Sequence, residues 1–178
     1  MRAAWRSWPR GQPSQAEVER RQLGDIASTI PAERIIGLNS AAVLLRIASQ
    51  VLSGQMAMKS GQLERAINDL EEAVRLQDGL RYSEPPDWYY PVRESLGRVL
   101  LTFSRAEEAE RVFREDLTRN PENPWSLYGL AESLRLQKKE QDASMVEERF
   151  RSAWAAADIG FDPARFEAVS AGTPAESK

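Results

Sequence analysis

The sequence predicts an all-α fold, a stack of short antiparallel helix pairs, and three observations predict it. Sustained period-two alternation is missing, and apolar residues recur at helical spacing instead. Turn signals interrupt the apolar stripes at short intervals. Three helical segments also align on Ala66, Ala109 and Ala143, the last two 34 residues apart and the first two 43 apart. At 178 residues the chain is long enough for one cored domain, since about 60–70% of unfolded-chain surface is buried at this size.

Taken in order, "MRAAWRSWPR" lacks the apolar run of a secretory signal, so the chain is expected to be cytoplasmic. Residues 1–13 read as an N-terminal segment, the remnant of a first helix. Residues 14–46 read as an N-terminal helical part and a candidate half-repeat, with "SQAEVERRQLGDIAST" capped at Ser14. Gly11 and Ala16 there repeat the five-residue offset of Gly61 and Ala66. "GLNSAAVLLRIASQVLSGQMAM" is the longest stretch with few charges, but Arg46 sits at its centre. A central arginine costs about 2.5–3.5 kcal/mol in a bilayer, so this is expected to be a buried helix and not a membrane span.

Leu63, Ile67, Leu70, Val74 and Leu76 stripe the next helix, and Val92, Leu96, Val99, Leu100 and Phe103 the one after. Lys59-Ser60-Gly61, Ser83-Glu84-Pro85-Pro86 and Asn120-Pro121-Glu122-Asn123-Pro124 punctuate them. Three units follow, 47–80, 90–123 and 124–157, with a nine-residue insertion at 81–89 that explains the longer spacing. Asp162 and Pro163 start a short terminal helix over 158–170, and 171–178 is a polar tail.

In the middle unit, Leu96-Gly97-x2-Leu100, Ala109-x3-Phe113 and Pro121 fall in a pattern that resembles the tetratricopeptide repeat (TPR) family. Arg93 stands where that family prefers a large apolar residue, Asp78 replaces the closing proline of the unit before, and Glu147 replaces the aromatic of the unit after. The resemblance covers about 47–157 and implies a short right-handed solenoid of about seven to nine helices. Gly54, Gly97 and Ala131, with Ala66, Ala109 and Ala143, are the small residues expected to let helices approach. The "EPPDWYYPVR" segment resembles the C-terminal portion of longer bacterial TPR proteins. That likeness implies that Met1 lies within an ancestral solenoid whose N-terminal cap is missing.

Function is narrowed by what the chain lacks. With no cysteine and no histidine, thiol nucleophiles, imidazole bases, disulfides and the usual zinc ligands are excluded. A net charge of −3 gives no general attraction to nucleic acid. The expectation is a non-catalytic protein–protein interaction module with no cofactor and no metal. Its partner is another protein or peptide segment, with neither nucleic acid nor membrane involved.

The resemblance implies a concave face lined by the first helix of each pair. Gln55, Lys59, Glu94, Arg98, Trp125, Tyr128, Glu132 and Arg135 are the candidate partner-binding residues there. Arg98 and Arg135 would fork onto a carboxylate, and Trp125 and Tyr128 would supply a flat anchor. The competing reading makes Glu94–Arg98 and Glu132–Arg135 ordinary helix-surface pairs. A chaperone-type carboxylate clamp is not matched, since Val51, Gln55, Ser95, Trp125 and Gly129 hold its places.

Trp88, Tyr89 and Tyr90 admit two readings, a structural joint that fills the gap opened by the insertion, or a second binding site. The joint is favoured, with Asp87 expected to cap the incoming helix. Two alternatives complete the set. One is an end-piece that self-associates through Trp5 and Trp8 at the N-terminal edge. The other is carboxylate catalysis by Glu84, Asp87 and Glu94.

Overall fold

A computed structural model describes residues 15–31, 33–155, 157, 160 and 161. Among them run seven helices: α1 (Gln15–Thr29), α2 (Ala41–Lys59), α3 (Leu63–Asp78), α4 (Val92–Thr102), α5 (Ala106–Arg119), α6 (Pro124–Leu136) and α7 (Glu140–Trp154). The fold is all-α, as the helical spacing predicts. The expected N-cap Ser14, the segment 1–13 and most of the expected 158–170 helix lie outside the described residues.

Each helix packs on the next in sequence, and α4 also touches α2 and α6, two places away on either side. That is the contact pattern of stacked helix pairs, in which the first helices of successive pairs form an inner row. The core runs through the stack along Ile47, Leu70, Val92, Phe113, Leu127 and Leu134, all fully buried or nearly so.

The repeat is written into the backbone of the turns. Gly61, Ser104 and Lys138 all have positive φ (70°, 61° and 62°). Gln62, Arg105 and Lys139 donate their N–H to the carbonyls of Ala57, Leu100 and Leu134 at 2.8, 2.8 and 2.9 Å. Gly61, Ser104 and Lys138 donate to Met58, Leu101 and Arg135 at 3.0, 2.9 and 2.8 Å. This pair of bonds closes a helix in the Schellman manner and needs a left-handed residue after the cap. The same closure recurs at the offsets of the three alanines.

Small residues set the helix separations. A Cβ on Gly54 would lie 2.7 Å from Leu70 Cγ. A Cβ on Gly97 of α4 would lie 2.3 Å from Phe113 Cζ, and one on Gly129 of α6 would lie 2.2 Å from the same atom. The tip of the Phe113 ring therefore occupies space that side chains on both flanking helices would fill. Ala66, Ala109, Ala131 and Ala143 are buried to within 1%.

Helix α2 begins at Ala41, six residues ahead of the expected boundary at 47, and crosses it unbroken. It is long and apolar enough to cross a membrane by length and composition. Leu44, Ile47, Val51 and Met58 on it are nonetheless buried in the core, Arg46 pairs with Glu72 at 3.3 Å and Ser53 donates to Asp69 at 2.6 Å. No strand is expected from the sequence, yet a hairpin precedes α2, with β1 (Ile35–Ile36) antiparallel to β2 (Asn39–Ser40). Its two-residue loop starts with Gly37 at φ 59°, which a II′-type hairpin turn demands.

Candidate interaction surface

Asn39 joins the hairpin to the 81–91 insertion. Its side-chain amide completes both backbone hydrogen bonds of Arg81, accepting from the N–H at 2.7 Å and donating to the carbonyl at 3.0 Å. The same Nδ2 donates to Asp87 Oδ2 at 2.7 Å, which also accepts the Leu38 N–H at 3.1 Å. These donors, the Asn39 amide first, hold the Asp87 carboxyl below its ordinary pKa. Gly37 is pressed on this carboxylate so closely that a Cβ would lie 2.1 Å from Asp87 Oδ1.

Asp87 was expected to cap α4, and it does not. Helix α4 starts five residues later, with Pro91 in the cap position. Gln77 of α3 does the capping, its Oε1 accepting the Val92 N–H at 2.8 Å while its Nε2 donates to the Tyr90 carbonyl at 2.9 Å. A side chain from the preceding helix can reach the orphan N–H because proline at the cap offers no side-chain acceptor.

The two braced loops carry an unusual surface. Among the described residues nine large hydrophobic or aromatic side chains are exposed, and five of them lie on these loops: Ile35, Ile36, Leu38, Tyr82 and Tyr89. The exposure is 53–62% for the three aliphatics and 82–83% for the tyrosines. Trp88, Tyr89 and Tyr90 divide accordingly. Trp88 and Tyr90 pack on the core with ring centroids 5.6 Å apart, and Tyr89 lies 4.8 Å from Tyr90, tilted by 59°, while remaining exposed. Two rings of the cluster thus pack on the core and one is exposed.

The inner-row candidates are placed as follows. Trp125 packs edge-on against Trp154 at 5.2 Å and on Phe161 at 5.7 Å, and Tyr128 lies 4.7 Å from Phe161. Arg135 pairs with Glu132 on its own helix and with Glu147 on α7. Gln55 is partly exposed and Lys59 exposed. Trp125, Tyr128 and Arg135 are therefore engaged with α7 and the segment after it, and Glu132 with Arg135 on its own helix.

Glu94 and Arg98 lie between α4 and its neighbours. Glu94 Oε1 accepts from Asn123 Nδ2 at 2.8 Å, and the same nitrogen donates to Asp116 Oδ2 at 2.9 Å. Asp116 also accepts from Ser126 at 2.6 Å and Asn120 at 2.9 Å. Asn123 meanwhile caps α6 through the Trp125 N–H at 3.2 Å. Burial, together with Asp116, pushes the Glu94 carboxyl up to about 7 against the pull of Asn123 and Arg98, and burial lowers Arg98. Glu84 accepts from Tyr82 at 2.7 Å, so Glu84, Asp87 and Glu94 are held by three separate partner sets.

Sequence reasoning passed over the hairpin and Asn39. The signal was present in "IIGLNS", two β-branched residues followed by glycine at a turn position, but two residues per strand fall below any periodicity test. Comparison of the chain with family models, with characterised proteins and with solved structures returns no match.

Proposed function

We propose that this chain is a non-catalytic protein-interaction module of the TPR type, and that the braced loop pair is its principal contact surface. The observation that carries this is that Ile35, Ile36, Leu38, Tyr82 and Tyr89, five of the nine exposed large hydrophobic or aromatic side chains among the described residues, lie on the two loops that the Asn39–Asp87 bond joins. Exposed apolar residues scattered singly need no explanation, whereas a fixed cluster of them does. Tyrosine and large aliphatics are suited to a contact centre, and the brace removes most of the ordering cost on binding. The inner row is a second contact region in this reading, through Gln55, Lys59 and Arg98.

A photo-crosslinking residue placed at 36 or 89, with Met145 on α7 as the exposed control, tests this. The reading requires discrete protein adducts at 36 and 89 that are missing at 145. Identical adducts at all three positions, or none, would refute it.

A second reading has its own observation. Helix α1 contributes no buried residue and exposes Val18 and Ile26, which suits self-association at that edge. Sedimentation would then show a concentration-dependent mass that Val18→Glu/Ile26→Glu abolishes.

A further inference from the structure

A recess of about 300 Å³ opens beside the brace, between the 81–91 loop and the C-terminal end of α5. Its walls are Tyr82, Pro86, Trp88 and Tyr89, and its floor is formed by Asp78, Arg93 and Arg119 with Asp116 behind. The electrostatics are decided by which groups are already satisfied. Asp78 is held by both prongs of Arg93, each at 2.7 Å. Asp116, 1% exposed, accepts from Ser126, Asn120 and Asn123. Both acids are thus committed to partners inside the protein, although the Asp78 side chain keeps 27% of its surface exposed.

Arg119 differs. Its side chain is 54% exposed and touches Asp78 Oδ1 at 3.3 Å, on an oxygen that Arg93 already holds. What the recess offers a visitor is a guanidinium among flat aromatic and proline faces. At the rim the Tyr82 hydroxyl donates to the Glu84 carboxylate at 2.7 Å. The Trp88 indole N–H is buried in the wall with no protein acceptor.

We infer that this recess takes an extended, proline-containing segment of another protein whose carboxylate pairs with Arg119. The inference rests on the reading of the chain as an interaction module and specifies the chemistry of the partner. Proline rings lie flat on aromatic walls, and a polyproline helix is ordered before it binds, so little entropy is lost. The carboxylate fixes position, because a planar guanidinium takes it in two parallel bonds. An acidic group suits the exposed Arg119 guanidinium, whose contact with Asp78 is shared with Arg93.

The test uses a fluorescent polyproline peptide with one central glutamate, read by polarisation against the full chain. Controls are its Glu→Gln and Pro→Ala forms, and the chain variants Arg119→Gln and Tyr89→Ala at exposed positions. Saturable binding is expected, weakened about tenfold by Arg119→Gln and as much by the glutamine peptide. Combining those two changes adds no further loss. Equal affinity for the alanine peptide or for Arg119→Gln, or no saturation by about 1 mM, overturns the inference. If the peptide fails while adducts are still recovered at position 36, the recess is wrong and the module stands. If both fail, both readings fall.

Discussion

Arg93 of α4 and Asp78 of α3 form a two-pronged ion pair, with both N–O distances 2.7 Å. These are two of the positions at which the chain departs from the pattern it resembles, a charge in place of a large apolar side chain and a carboxylate in place of the closing proline. Each departure supplies the partner of the other. The Arg93 side chain is 10% exposed and that of Asp78 27%, so the pair spans from interior to rim.

That asymmetry predicts unequal costs. Asp78→Ala strands a buried guanidinium whose remaining carboxylate, Glu115, is 3.7 Å away, and loss of one partner of a buried pair costs about 3 kcal/mol. Arg93→Leu leaves Asp78 near water and Arg119 while filling the interior with an apolar side chain, and should cost about 1 kcal/mol. Urea unfolding of the two variants decides it. Equal costs, or the reverse order, contradict the geometry.

Gly97 and Gly129 face one ring tip. Gly97→Ala should destabilise by about 1–3 kcal/mol despite the better helix propensity of alanine, because the Phe113 ring is fully buried and has nowhere to move. Phe113→Leu in the Gly97→Ala background should recover part of the loss. A thermal melt in which the two losses simply add would show that the ring and the glycine are not in contact.

The turns carry a further consequence. A left-handed L-residue costs about 1–2 kcal/mol relative to glycine, offset by about 0.4–1 kcal/mol of extra unfolded-chain freedom. Ser104→Gly and Lys138→Gly, both exposed, should therefore each stabilise by about 0.5–1 kcal/mol. Gly61→Ala should destabilise, even though a Cβ there meets nothing within 4 Å.

How much of this was legible varies with the physics. Helices and turns were readable because Leu63 to Leu76 and Val92 to Phe103 repeat locally, and the 34-residue offset of the alanines marked their stacking. Asn39 and Asp87 are 48 residues apart and touch only because α2 and α3 bring their loops together. No local pattern encodes such a contact. The engagement of Trp125 and Tyr128 depends in part on Phe161, beyond the last helix of the repeat, which no spacing within the helices encodes.

Stability should fall as pH rises from about 4.5 to about 7. Glu94 is raised from 4.5 to about 7 in the fold, so the folded state holds a proton that the unfolded chain has released. Its contribution is greatest below 4.5 and is lost between 4.5 and 7, by on the order of 3 kcal/mol. Asp78, Asp87, Glu17 and Glu110 are lowered instead, so their contribution is present above the ordinary carboxylate range and opposes the decline only at the acid end of this window. The chain has no histidine to obscure the effect. Glu94→Gln should flatten the urea midpoint between pH 5 and 8, and a parallel decline in the variant would assign the effect elsewhere.

The central claim is that the braced loops make the contact. The most direct measurement is affinity capture from source-cell lysate, quantified by mass spectrometry, with three chains of verified helicity. These are wild type, Ile36→Ser/Tyr89→Ser and Gln55→Ala/Lys59→Ala. The account predicts a specific protein retained by wild type, reduced by the inner-row variant and lost by the loop variant. Equal recovery with the loop variant, or no specific protein with wild type, would contradict it.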